Sequence, residues 1–122
     1  MSLHTFEELA VWKRSAKLAA DVNIAINKHK NYSLKDQISR SAISVPSNIA
    51  EGSERDSTKD FIRFLRISKG SCAELRTQLY INQKISQETG ENSLPETQHY
   101  IQETKEILAM LQGLIRSLQD KL

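Results

Sequence analysis

Most of what would mark this chain as secreted, fibrous or β-rich is missing from it. It has a single cysteine, Cys72, so no disulfide can close within the chain, and a lone thiol fits a reducing compartment. Only 4 Gly and 2 Pro are present, too little turn-forming material for the many reversals of an all-β fold. No apolar run approaches the ~20 residues that cross a bilayer. Met1-Ser2-Leu3-His4-Thr5 carries neither a basic nor an apolar leader region, so a cytoplasmic protein with no membrane attachment is expected. A strong excess of one charge is missing too: 17 basic and 15 acidic side chains leave +2, well below a dedicated nucleic-acid binder. What remains is 39% hydrophobic and 26% charged, the balance of a folded globular domain, and 122 residues predict one domain over 1–122.

The apolar residues recur with helical spacing, interrupted three times. Thr5 with Glu8 has the capping-box pattern and opens a stretch to about Ile26, where Lys28-His29-Lys30 suits a helix C-terminus. Ser33 and Asp36 open a second stretch striped by Leu34, Ile38, Ala42, Val45 and Ile49, with Gly52 as its stop. Pro46 lies inside it, and the lost hydrogen bond to Ala42 predicts a kink. Ser57 with Asp60 starts a third helix whose Phe61, Leu65, Ser68, Cys72, Leu75 and Leu79 alternate by fours and threes, the seam of bundle packing. Gly90 to Pro95 forms the last loop. Ile101, Thr104, Leu108, Leu111, Ile115, Leu118 and Leu122 then stripe a fourth helix. Short connections favour antiparallel neighbours. The predicted fold is all-α, an antiparallel four-helix bundle with a proline-kinked second helix.

Helix one has more apolar surface than one stripe needs. Leu9, Trp12, Ala16, Ala19 and Ile26 share a face, and Val11, Leu18 and Val22 widen it. Helix four is broadened in the same way by Tyr100, Ile107 and Leu114. Either the core is large, or the extra surface meets another subunit. The second reading makes Val11, Leu18 and Val22 the candidate subunit interface of a homo-oligomer.

Motifs that carry chemistry are sparse. A carboxylate-bridged metal pair in a bundle needs two Glu-x-x-His motifs, and only Glu96-Thr97-Gln98-His99 occurs. His4 and His29 stand alone in sequence, and Cys72 falls on the core seam. No nucleophile-base set and no glycine-rich phosphate loop is present, so no catalytic residue, cofactor, metal or small-molecule substrate is expected. Small residues crowd helix two and the middle of helix three (Ser41, Ala42, Ser44; Ser68, Gly70, Ser71), a sign of close helix approach. Between Arg55 and Lys84 seven basic residues meet three acidic ones. Among them Lys59, Arg63 and Arg66 share one face. They could follow a phosphate backbone or form a solvated outer surface, and they are the candidate contact for nucleic acid or another partner.

The run Gln37-Ile38-Ser39-Arg40-Ser41-Ala42-Ile43-Ser44-Val45-Pro46-Ser47-Asn48-Ile49-Ala50-Glu51-Gly52, with Phe61 to Ser71, Glu74-Leu75 and the opening Phe6-Glu7-Glu8-Leu9-Ala10-Val11-Trp12, resembles bacterial four-helix-bundle proteins first met as products of intervening sequences in large-subunit ribosomal RNA genes. The resemblance spans nearly the whole chain. It implies four long helices and ring-shaped pentamers around a channel. One branch, the accessory proteins of diversity-generating retroelements, forms a basic ring that binds reverse transcriptase and nucleic acid, whereas this chain is only slightly basic. The expectation taken forward is a non-enzymatic homo-oligomer, a pentamer by resemblance, whose partner is nucleic acid or a nucleic-acid-processing protein. The alternatives are a purely structural self-assembling protein and, behind it, a carboxylate-metal enzyme.

Overall fold

A computed structural model describes residues 5–122. A short 3-10 turn, Phe6–Glu8, leads into α1 (Ala10–Ile26), α2 (Tyr32–Ser53), α3 (Thr58–Thr89) and α4 (Thr97–Gln119), with no strand among the described residues. Each helix packs on its neighbours in chain order, and α4 returns to α1 along the sparsest seam. Cross-helix pairs fix the antiparallel sense. Asn23 meets Ser39 across α1 and α2, and Ser41 and Ser44 meet Gln78 and Ser71 across α2 and α3. Lys69 and Gln83 meet Gln112 and Gln98 across α3 and α4. The antiparallel four-helix bundle is therefore present.

Local chemistry explains where the helices begin. The Ser57 hydroxyl accepts the Asp60 N–H at 3.1 Å, the predicted cap of α3. α2 is capped by Asn31, whose side chain accepts the Leu34 N–H, rather than by Ser33. Thr5 makes no side-chain cap, and α1 begins only at Ala10, after the 3-10 turn. Gly90, at φ 76, closes α3 in the left-handed conformation open to glycine. α2 continues through Pro46, which is buried.

The core holds Val22, Ile38, Ile49, Leu65, Leu79, Ile101, Ile107 and Leu111, each fully enclosed. The α2–α3 interface is close because its residues are small. The Ser44 and Ser71 hydroxyls lie 2.8 Å apart, and Ser68 donates to the Val45 carbonyl at 2.8 Å. At Gly52 a Cβ would stand 2.6 Å from the Phe64 Cβ, so helix approach requires this glycine and it lies inside the last turn of α2. Gly70 differs, with nothing within 4 Å of a built Cβ. Its cost of ~1 kcal/mol against alanine is thus not recovered by packing within the chain.

α1 is rotated from the expected stripe. Its inward residues are Val11, Ser15, Leu18, Ala19, Val22 and Ile26. Trp12 instead stands at the edge with its ring edge-on to Phe6, centroids 5.1 Å apart. Ser15 fits the core because its hydroxyl donates to the Trp12 carbonyl. Val11, Leu18 and Val22 are 4%, 5% and 0% exposed within a single chain, so they are not a subunit interface: the surface assigned to a neighbour is the bundle's own core.

Candidate nucleic-acid interface

Lys59, Arg63 and Arg66 all lie exposed on the outer side of α3, and helical spacing puts them along one line. They are not equivalent. Arg63 is held by Asp60 at 3.1 Å, and its guanidinium sits 4.5 Å over the Phe64 ring. Arg55 approaches the same ring to 4.6 Å and pairs with Glu51. Both guanidiniums are thus partly neutralised and spread over an aromatic face. Lys59 and Arg66 have no carboxylate partner among the described residues and are free to meet an external anion.

The other predicted features resolve into structural roles or lie apart. Glu96 and His99 are exposed at the start of α4, beside Lys17, Asp21, Ile24 and Tyr100 around an open recess of about 400 Å³. Among the described residues no three of His, Cys, Asp or Glu come close enough to share a metal ion. His4 lies outside the described residues. Cys72 is buried, its thiol donates to the Thr104 carbonyl, and burial pushes its pKa up to about 11. Such a thiol is a poor nucleophile at neutral pH.

Two arrangements were not visible in the sequence. His29, placed among lysines, is buried and joins three elements. Its Nε2 meets the Asn82 side-chain oxygen at 2.7 Å, so Nε2 carries the proton, while Nδ1 accepts the Asn31 N–H. Asn82 donates onward to Thr97, whose hydroxyl donates to the Leu94 carbonyl. On the opposite seam, Arg14 of α1 grips Glu103 at 2.8 Å and Glu106 at 2.7 Å on α4. Hydrogen bonds from Arg14 hold both carboxyls below their ordinary range and hold the guanidinium firmly charged. Glu103 and Glu106 lie 89 and 92 residues from Arg14 in sequence, and only the register of α1 on α4 reveals the clamp. No buried side-chain nitrogen or oxygen among the described residues lacks a hydrogen-bond partner.

Residues 7–113 match the 23S rRNA-intervening sequence protein family. The chain belongs to this family. Among solved structures it is similar to a protein of unknown function from the S23 ribosomal protein family of Bacteroides thetaiotaomicron. The two share 24% identity with a TM-score of 0.74, over 87% of this chain and 98% of that one. At that identity the likeness shows the fold alone. No curated protein matches the chain. Among the described residues no helix is long and apolar enough to cross a membrane.

Proposed function

We propose that this protein is a non-enzymatic, self-associating helical bundle that binds a macromolecule, with nucleic acid as the leading partner and a nucleic-acid-processing protein as the other. The observation that carries it is the condition of the outer cations of α3. Lys59 and Arg66 project from a rigid helix with no ion-pair partner among the described residues, whose buried side-chain nitrogens and oxygens all have hydrogen-bond partners. A rigid array of unpaired cations favours a polyanion, because releasing its counterions drives association. The family description refers to an rRNA intervening sequence, which is consistent with this reading. Such binding is electrostatic, weak and insensitive to base order.

Self-association is supported by apolar surface other than the expected Val11, Leu18 and Val22. Ile67, Ile81 and Ile85 follow one exposed side of α3, with Gly70 between them, and Ile24 and Ile43 are exposed on α1 and α2. A closed ring, a pentamer by family resemblance, would cover such patches by rotation. The same patches favour the second reading, a purely structural assembly. Light scattering tests self-association, since a mass near 13.9 kDa would contradict it. Retention of the purified protein on immobilised RNA at low salt, lost at high salt, separates the two readings.

A further inference from the structure

The α3–α4 seam has a charge pattern that neither helix shows alone. Lys69 donates to Gln112 at 2.9 Å, and Gln83 donates to Gln98 at 3.0 Å. Fourteen residues separate the two positions on each helix (69 to 83, 98 to 112), so the register is even and its midpoint sets Arg76 opposite Lys105. Two like charges therefore face one another. One turn beyond Lys69 toward the start of α3 lies Arg66, and the same register places Arg116 beside it on α4. The exposed edges of this seam (Arg66, Lys69, Ala73, Arg76 and Tyr80 on α3; Lys105, Ala109, Gln112 and Arg116 on α4) carry no Asp or Glu. Elsewhere Arg14, Lys17, Arg40, Arg55, Arg63 and Lys84 are each held by a carboxylate. None of Arg66, Lys69, Arg76, Lys105 or Arg116 is, among the described residues.

We infer that the α3–α4 seam is a binding track for a single nucleic-acid strand, with Arg66, Lys69, Arg76, Lys105 and Arg116 meeting its phosphates and Tyr80 stacking on a base. This rests on the proposed nucleic-acid reading and moves its centre from the outer line of α3 to the seam, keeping Arg66 in both. The register sets Arg76 and Lys105 on facing positions, and an anion lying between two such cations is attracted by both. The axes of two packed helices run roughly 8–10 Å apart, and long side chains from both reach the same strip, as Lys69 shows by meeting Gln112, so one phosphodiester strand along the seam is within reach of cations from both helices. Arg66 to Arg76 extends the track over roughly 15 Å of helix. Tyr80, 44% exposed and one turn past Arg76, supplies the ring face that base stacking requires and that the Lys59-Arg63-Arg66 line lacks.

The test is fluorescence anisotropy of a short labelled oligouridine strand with the full-length protein. With a slope of ~0.7 for every phosphate of a single strand that is neutralised, removing one cation from the track lowers affinity about fivefold at about 0.1 M salt. Arg76→Gln with Lys105→Gln should therefore weaken binding about 25-fold. Lys28→Gln with Lys30→Gln removes the same charge at the α1–α2 turn and should change it only about twofold, the size of a long-range effect. Tyr80→Ala should cost roughly tenfold, and a duplex of matching length should bind less tightly than the strand. All these positions are exposed or half-buried, and unchanged helical circular dichroism confirms folding. If the unaltered protein binds neither strand nor duplex at low salt, the nucleic-acid reading itself falls. If it binds, but the seam pair and the turn pair weaken it equally, the seam is the wrong surface while the reading stands. Equal binding of duplex, or an inert Tyr80→Ala, overturns the single-strand assignment.

Discussion

Two of the helical glycines, Gly52 and Gly70, should respond to the same substitution with opposite sign. At Gly52 an alanine Cβ would lie 2.6 Å from the Phe64 Cβ, 3.0 Å from Phe61 Cδ1 and 3.3 Å from the Phe61 carbonyl oxygen. The first and last of these are anchored to the α3 backbone and cannot swing aside, so α2 and α3 must separate. Overpacking costs about 1–3 kcal/mol, and a 2.6 Å approach to anchored atoms belongs at the upper end, about 2–3 kcal/mol, of which the better helix propensity of alanine returns only about 1 kcal/mol. Gly52→Ala should lose about 1–2 kcal/mol. Gly70→Ala meets empty space on an exposed helix interior and should gain up to about 1 kcal/mol. At about 4 °C per kcal/mol for a domain of this size, the two variants should melt about 4–12 °C apart. Thermal and urea unfolding by circular dichroism, at one fixed protein concentration, measures both. A Gly52→Ala protein as stable as the unaltered chain would refute the close approach of α2 to α3. A destabilised Gly70→Ala would mean that its face is covered in the native assembly.

Other perturbations follow from the core and the α1–α4 clamp. Val22→Glu buries a carboxylate at a fully enclosed site and should cost more than about 4 kcal/mol, seen as the disappearance of cooperative melting; a folded variant would place Val22 outside the core. Glu103 and Glu106 are held below their ordinary value of 4.5, so the stability from Arg14 is fully present above about pH 4.5 and lost as pH falls through the lowered values. The stability gap between the unaltered protein and Arg14→Ala should therefore shrink on acidification below that pH, and a gap that widens would contradict the clamp. Cys72, with its thiol raised to about 11, should resist DTNB in the native protein at pH 8 and react on unfolding in urea; rapid native reaction would mean that the seam around it opens.

How much of this could be read in the sequence depended on whether the deciding interaction was local. Ser57 capping Asp60 lies within one turn, and it was legible. So was the four-three alternation from Phe61 to Leu79, because a long amphipathic helix leaves little freedom about which side turns inward. α1 was less constrained. Its apolar arc was wide enough that Trp12 could be placed inside and Val22 outside, and what admits Ser15 to the core is the hydrogen bond from its hydroxyl to the Trp12 carbonyl. Gly52 could be read as a helix stop, since nothing in sequence links it to Phe64. His29 and Asn82 are 53 residues apart, and their hydrogen bond exists only after α2 has folded back. The basic line of α3 was visible as helical spacing. The opposition of Arg76 to Lys105 needed the α3–α4 register, which no local pattern encodes.

The central claim, that unpaired cations on this bundle bind a nucleic-acid strand by charge, is tested most directly by the salt dependence of that binding. Five neutralised phosphates at ~0.7 each predict a slope of roughly −3.5 for log affinity against log salt. The measurement is a titration of labelled oligouridine with the unaltered protein over a series of salt concentrations. A steep linear fall near that slope, shared by strands of different base order, is the expected result. Tight binding that persists at high salt, or no binding at the lowest salt, would contradict the account.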